Sequence, residues 1–216
     1  NISLTAGSTY DSMTDVPTLT STTVANYATL NPLQFAGTNG SNPSDGNLTV
    51  NSNGSANPTK AFSSTIAAST GKFYAEFTIS SVNYIQIAAA DVSTWVSTYG
   101  SGLLYGSGTV SWDLSQFKYY INSTGSTATG ITGATNDVMQ IAFDADTRKV
   151  WFGRNNTWNA SGNPSAGTGE IGTVAGTGPM VFVVRSENMT TNCNFGQQGF
   201  LYTPPTGFLA LNTFNI

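Results

Sequence analysis

The sequence predicts an all-β fold, an antiparallel β-sandwich or jelly roll that follows an irregular N-terminal arm. Apolar and polar residues alternate in several short segments, whereas no segment sustains the 3.6-residue period of an amphipathic helix. Stretches rich in Gly, Ser and Asn separate these segments. Many short strands joined by turn-rich loops are typical of two packed antiparallel sheets. We therefore expect helix in less than about a tenth of the chain.

The composition indicates one folded domain with a polar but weakly charged surface. Charged residues make up only 8% of the 216 residues, against about 25% in an average soluble protein. Hydrophobic residues make up 39% and aromatic residues 12%, which is enough to build a core and argues against disorder. The chain begins at Asn1 with neither Met nor a charged leader, so we expect a processed product or a fragment.

The first predicted unit is an irregular arm over 1–59, and the sandwich follows over 60–216. The arm contains several prolines and too few apolar residues for a core of its own. Residues 47–50 are a possible edge strand. The residues expected to pack the arm against the sandwich are Tyr27, Leu30, Leu33 and Phe35.

The strand predictions begin after Gly71 and continue to the C-terminal region. Phe73, Ala75, Phe77 and Ile79 alternate with more polar residues, which is typical of a half-buried strand. The segment 85–90 follows, with small residues that allow close packing. The remaining single strands are predicted at 102–105, 110–114, 117–122, 180–185 and 190–195.

The clearest hairpin is predicted over 137–154. Its first strand places Met139, Ile141 and Phe143 on one face, and Val150 and Phe152 alternate in the return strand. The connection between the two strands contains Asp144 and Asp146. A loop rich in Gly, Ser and Asn follows over 155–178.

The chain leaves the last strand through a run of aromatic residues and prolines over 194–208. Phe195, Phe200, Tyr202 and Phe208 are apolar contacts for the sandwich, and Pro204 with Pro205 restricts the backbone. Nothing in this run points to catalysis.

The absence of histidine excludes much of the usual chemistry. It removes the commonest general base, the commonest transition-metal ligand and every Ser-His or Cys-His nucleophile. The single Cys193 alternates with Met189, Thr191 and Phe195, which predicts a buried, inert thiol. We therefore expect no enzyme activity, no cofactor, no bound zinc and no hydrolysis at neutral pH.

Two sets of carboxylates have a structural and a chemical interpretation. Asp144 and Asp146 are either paired carboxylates of a calcium or acid site, or residues that stabilise a turn. The role in a turn is favoured, because the regular oxygen spacing of a calcium-binding loop is missing. Glu76 has no second acid placed for glycosidase chemistry, so a structural role is favoured.

Charge and hydropathy argue against two classes of partner. The seven Lys and Arg residues are scattered singly and the net charge is −4, so nucleic-acid binding is not expected. No apolar run reaches the roughly 18 residues of a spanning helix, so membrane insertion is not expected either.

Four motifs follow one another along the chain: GKFYAEF at 71–77, the small residues at 87–90, NDVMQIAFD at 136–144 and KVWFGRN at 149–155. Their order and spacing over roughly 60–213 resemble those of SPRY domains. The run NFGQQGFLYTPPTGF at 194–208 is similar to the closing segment of SPRY-like domains in bacteriophage virion proteins. The resemblance implies a SPRY-like sandwich.

The arm carries a second resemblance. YDSMTDVPT at 10–18 and NYATLNPL at 26–33 are similar to the segment that precedes SPRY-like domains in phage structural proteins, especially tail-fibre-like ones. This implies a virion origin and location in the extracellular particle. Because SPRY-like domains bind through variable loops, the resemblance assigns no binding residue.

Aromatic residues outside the clearest strands are the candidate binding residues. Rings in loops offer flat apolar area for sugars or proteins, and the alternative is that each ring fills the edge of the sandwich. The candidates are Trp95, Tyr99, Tyr105, Trp112 and Trp158.

We expect a noncatalytic virion protein that acts by adhesion, as a tail-fibre or tail-tip module binding a host-surface glycan or protein. The alternative is a capsid decoration or cement protein, and a glycan-degrading enzyme is disfavoured by the missing acid pair. Other virion proteins are the expected partners. A homo-oligomer is expected, because a surface poor in charge offers little repulsion between copies.

Overall fold

The computed structural model describes residues 21, 24–37, 40–51, 60–80, 84–95, 104–128 and 133–216. Strands account for 49% of it and helices for 4%. This confirms an all-β sandwich and a helix content below a tenth. None of the described helices is long and apolar enough to cross a membrane.

The described strands are numbered in chain order. They are β1 (Leu30–Ala36), β2 (Thr49–Asn51), β3 (Ala61–Ser64), β4 (Lys72–Ile79), β5 (Tyr84–Asp91), β6 (Thr109–Asp113), β7 (Lys118–Ile121), β8 (Thr124–Ala128), β9 (Val138–Asp144), β10 (Lys149–Arg154), β11 (Thr157–Trp158), β12 (Gly172–Thr173), β13 (Met180–Glu187), β14 (Thr190–Asn194) and β15 (Leu209–Ala210). Two 3-10 turns, Asn159–Ser161 and Pro164–Ala166, lie between β11 and β12.

Two sheets form the two layers of the sandwich. The first sheet has seven strands in the order β1-β3-β13-β5-β6-β7-β8, and the second has the order β11-β10-β9-β4-β14-β2. The short β12 pairs with β10, and β15 pairs in parallel with β4. Every other named strand pair is antiparallel.

The core lies between the sheets and follows the alternation in the sequence. Antiparallel pairing of β4 with β9 sets Phe73 opposite Phe143 and Phe77 opposite Met139, so these side chains share the inward face. The Phe143 ring meets Phe182 of the other sheet at 4.6 Å between centroids. The predicted inward face of the hairpin over 137–154 is confirmed.

The part of 1–59 that the structure describes contributes a strand to each sheet. β1 pairs with β3, and β2 pairs with β14 at the edge of the second sheet. Tyr27 and Leu30 are buried, but Leu33 is 91% exposed, so the prediction that it packs on the sandwich is wrong. Leu33 belongs to β1, which is an edge strand. Next to Pro32 the pairing of β1 with β3 is interrupted, between Leu30 and Phe35.

An ion pair joins the two sheets at the β9–β10 turn. The Arg148 guanidinium donates to Asp91 Oδ2 of β5 at 2.8 Å and to the carbonyl oxygens of Val174 and Gly178 at 2.9 and 2.8 Å. Burial raises the pKa of Asp91, but hydrogen bonds from Ser93 and Gly178 and the charge of Arg148 outweigh it, so the pKa lies below its ordinary value.

The two ends of the described chain lie side by side. Tyr27 forms an isolated antiparallel bridge with Asn212. The backbone N–H of Ala28 donates to Leu211 O at 2.9 Å, and that of Thr213 donates to Asn26 O at 2.9 Å.

Candidate functional site

Trp112, one of the predicted binding residues, belongs to the core. In β6, Val110 and Trp112 point inward while Ser111 and Asp113 point outward, as the two-residue period requires. The Trp112 ring is fully buried and lies about 6 Å from the rings of Tyr119 and Phe152. Its proposed contact with a partner is therefore corrected to a packing role.

Trp95 is also fully buried, on the outer face of the first sheet. It fills space above the small residues of β5, in a cluster with Ala88, Ala90, Leu104 and Val183. Trp95 is therefore corrected from a candidate binding residue to a packing residue, because small side chains on a sheet leave room that a large ring occupies. Tyr99 lies outside the described residues.

Tyr105 lies on the same outer face, partly exposed. Its ring stacks on Tyr120 at 3.8 Å between centroids, and Gln116 bridges the two hydroxyls at 2.9 and 3.0 Å. The Tyr105 hydroxyl donates to Asp113 Oδ2 at 2.5 Å. Burial, followed by the hydrogen bond to Asp113 and its charge, raises the pKa of Tyr105.

Buried charged and polar side chains lie close to this tyrosine pair. Arg185 donates to Glu187 Oε2 at 2.7 Å, with both side chains almost fully buried. Gln86 donates to Asp113 Oδ2 at 2.8 Å and accepts the N–H of Leu104 at 3.0 Å. Burial lowers the pKa of Arg185, and the opposing effect of the Glu187 charge, which raises the pKa, is smaller. Through the hydrogen bond to the Leu104 N–H, Gln86 holds the backbone at this position in place.

Trp158 lies on the opposite side of the molecule, on the outer face of the second sheet. It is partly buried and meets Tyr74 edge-on at 6.3 Å. Tyr74 belongs to a small outer cluster with Ala142, Trp151 and Phe208. The four predicted aromatic residues that the structure describes thus lie on two opposite outer faces and in the core, and these four do not form one site.

The segment 197–208, called here the C-terminal strap, crosses this outer face. Glu76 holds it, because Oε2 accepts the N–H of Leu201 at 2.8 Å and Oε1 accepts that of Tyr202 at 2.9 Å. The Tyr74 hydroxyl donates to Glu76 Oε1 at 2.9 Å. Phe200 meets the Tyr74 ring edge-on at 4.8 Å. The structural interpretation of Glu76 is confirmed.

The carboxylates of the β9–β10 connection act as turn residues. Asp144 Oδ1 accepts the N–H groups of Asp146 and Thr147 at 3.0 and 3.2 Å. Asp146 Oδ2 accepts the N–H of Gly71 at 3.2 Å. Among the residues that the structure describes, no group of three or more His, Cys, Asp or Glu residues could hold a metal ion.

A groove runs beside the strap over β4, β14 and β2. It consists of two adjoining cavities of about 340 and 330 Å³, a size at the lower end for ligand pockets. The cavities share Thr78, Asn192, Cys193 and Gln198, so they are continuous. We call it the amide groove. Its polar side chains, apart from the acids at its ends, are Thr49, Thr78, Asn192, Asn194 and Gln198.

The alternation in β14 places the amides in this groove. Cys193 turns inward, where burial raises the pKa of its thiol, and Asn192 and Asn194 turn outward. Asn192 Oδ1 accepts from Thr49 Oγ1 at 3.0 Å, while Asn194 donates to Gly199 O at 2.7 Å and accepts from Gly196 N at 2.9 Å. Neighbouring groups therefore orient both amides.

The charges of the amide groove are confined to its ends. Asp45 is exposed at the β2 end, and Glu76 is buried under the strap at the other end. None of the described lining residues is Lys or Arg. A separate cavity of about 300 Å³ lies beside Arg154, whose guanidinium is paired with Asp137 at 2.6 Å.

Sequence reasoning missed the amide groove. The sequence did contain one indication of it. Because Cys193 was predicted to be buried, the two-residue period places its neighbours Asn192 and Asn194 on the outer face of the strand. The contribution of Gln198 depends on how the strap folds back, which no local pattern indicates.

Comparison with known proteins gives the fold. No family model and no curated protein matches the sequence. Among solved structures, the crystal structure of the SPRY domain of human HERC1 is similar, with a TM-score of 0.54 and 11% sequence identity. The match covers 76% of this chain and 96% of that one. The SPRY-like part of the sequence resemblance is thus confirmed as a fold, and the phage virion context stays a prediction.

Proposed function

We propose that this protein is a noncatalytic binding module that attaches a larger particle to a host-surface glycan or protein. The observation that carries the proposal is the amide groove, an open cleft of oriented hydrogen-bonding groups on a rigid two-sheet platform. Its amides and hydroxyls can donate to and accept from the polar groups of a partner surface.

Two features support a noncatalytic role. Both Glu76 oxygens accept backbone N–H groups of the strap, so the acid beside the groove is already engaged. A glycosidase needs two carboxyl groups on either side of the scissile bond, and Asp45 is the other acid among the described groove-lining residues, at the opposite end.

The virion setting rests on the sequence resemblance at 10–18, 26–33 and 194–208. In that setting the module is part of a tail fibre or tail tip, with other virion proteins as partners. It acts as a homo-oligomer in which several weak contacts combine through avidity. A capsid decoration protein is the alternative in the same setting.

Adsorption of the purified, fluorescently labelled protein to a panel of bacterial cells tests the proposal. We expect saturable binding to some strains, reduced by enzymatic or periodate removal of surface polysaccharide or by surface proteolysis, with no release of reducing ends. If the protein binds no strain but binds intact viral capsids, the adhesion proposal is wrong and the protein is a capsid decoration protein. Release of reducing ends would show an enzyme.

A further inference from the structure

We infer that the amide groove binds a neutral saccharide chain. This inference rests on the proposed function and names the ligand class and the surface that recognises it. The predicted aromatic residues that the structure describes do not line this groove. Trp95 and Trp112 are buried, and Trp158 packs on Tyr74. Tyr105 stacks on Tyr120 on the other sheet.

The hydrogen-bonding groups of the groove match sugar hydroxyls. A side-chain amide both donates and accepts, as a sugar hydroxyl does. Asn192 and Gln198 are exposed, and both line the two adjoining cavities. Because Thr49 donates to Asn192 Oδ1, the Asn192 Nδ2 donor is oriented before a ligand arrives, which lowers the entropic cost of binding.

The charge distribution selects against anionic sugars. A uronate, sulfate or phosphate group is bound most strongly by charged donors, and none of the described lining residues is basic. Asp45 and the overall charge of −4 repel anions. Glu76 is buried and hydrogen-bonded to the strap, so Asp45 is the one accessible acid among the described lining residues. One exposed carboxylate is too little negative charge to favour a cationic ligand.

Apolar side chains of the strap also line the groove and can contact the C–H face of a sugar ring. Phe200 and Leu201 line the first cavity, and Leu201 is 69% exposed. Glu76 fixes the backbone N–H of Leu201, so this wall is held in position. A saccharide in the groove thus meets amides from β14 and an apolar edge from the strap.

An array of neutral, uronate-containing, sulfated and amino-sugar oligosaccharides, with a basic peptide as an extra probe, tests this inference. The wild type is compared with the double variant Asn192→Ala/Gln198→Ala and with Asn192→Asp, which keeps the acceptor for Thr49. Gln116→Ala is the matched control, since it removes an exposed amide beside the tyrosine pair on the other sheet. Melting temperatures verify that each variant is folded.

We expect the wild type to bind neutral oligosaccharides and both groove variants to lose about tenfold or more in affinity, whereas Gln116→Ala binds normally. Binding confined to charged sugars or the basic peptide, or no binding on the array, would overturn the neutral class. Unchanged binding in both groove variants, or loss in Gln116→Ala, would move the site elsewhere. If cells are still bound in either case, the adhesion proposal stands while this inference fails.

Discussion

At the scale of single residues, the ionisation of Asp91 determines the strength of an ion pair that joins the two sheets. Its carboxylate is fully buried, yet its pKa is lowered because Ser93, Gly178 and Arg148 favour the charged form. A carboxyl whose pKa is lower in the folded state adds stability above its unfolded pKa, and that stability is lost as the pH falls through the folded value. The ordinary value for this group is 3.8.

We therefore predict that Asp91→Asn removes part of the acid sensitivity. The variant should be less stable by about 3 kcal/mol at pH 7, because Arg148 loses its charged partner. Below pH 3.8 the difference from wild type should shrink, since protonation of Asp91 has the same effect as the substitution. Urea denaturation between pH 7 and pH 2.5 measures both. A constant difference over this range would contradict the assignment.

Single residues also mark the limit of what the sequence could predict. The inward positions of Met139, Phe143 and Cys193 follow from the two-residue period alone. The burial of Trp95 and the exposure of Asn192 do not follow from this period. They depend on which segments of the chain cover the outer faces of the sheets. A strand pattern distinguishes two faces but does not say what covers the outer one.

At the scale of elements, the C-terminal strap depends on one side chain of β4. The sequence predicted aromatic contacts in this run, and Phe200 and Phe208 do pack on Tyr74 and Trp151. It gave no indication that Glu76, two residues after Tyr74 in β4, accepts the strap's N–H groups. That contact joins residues 125 and 126 positions apart.

We predict that Glu76→Gln loosens the strap without unfolding the sheets. An amide has one oxygen where the carboxylate has two, so one of the two backbone N–H groups loses its acceptor, at about 1–3 kcal/mol. Hydrogen exchange at Leu201 and Tyr202 should accelerate, while exchange at Ile141 in β9 stays slow. Gln140→Ala, which removes a neighbour of Tyr74, is a control for general loosening of this face. Equal acceleration in β9 would argue for global destabilisation instead.

At the scale of the whole molecule, the fold is two layers joined by one continuous apolar core. Phe182 of the first sheet contacts Phe143 of the second sheet and Phe195, which directly follows β14. Because rings of each sheet pack on rings of the other, the inward face of each sheet is buried only when the two layers are together.

We predict that Phe143→Ala lowers the free energy of unfolding by about 3–5 kcal/mol and the melting temperature by roughly 10 °C. The two layers should still unfold in a single transition, monitored by tryptophan fluorescence and far-UV circular dichroism. Tyr84→Ala, at a half-exposed ring, should cost less than about 1 kcal/mol. Two separate transitions would show that the sheets are independent folding units.

The bridge between Tyr27 and Asn212 has a mechanical consequence. Because the chain enters and leaves the described fold at neighbouring points, tension applied through both flanking segments passes across this bridge and bypasses most of the sandwich. A pull directed from one end to a ligand held at the outer face of the second sheet instead crosses β4 and β14. Single-molecule stretching should thus give a low opening force between the two ends and a higher force between one end and the opposite face.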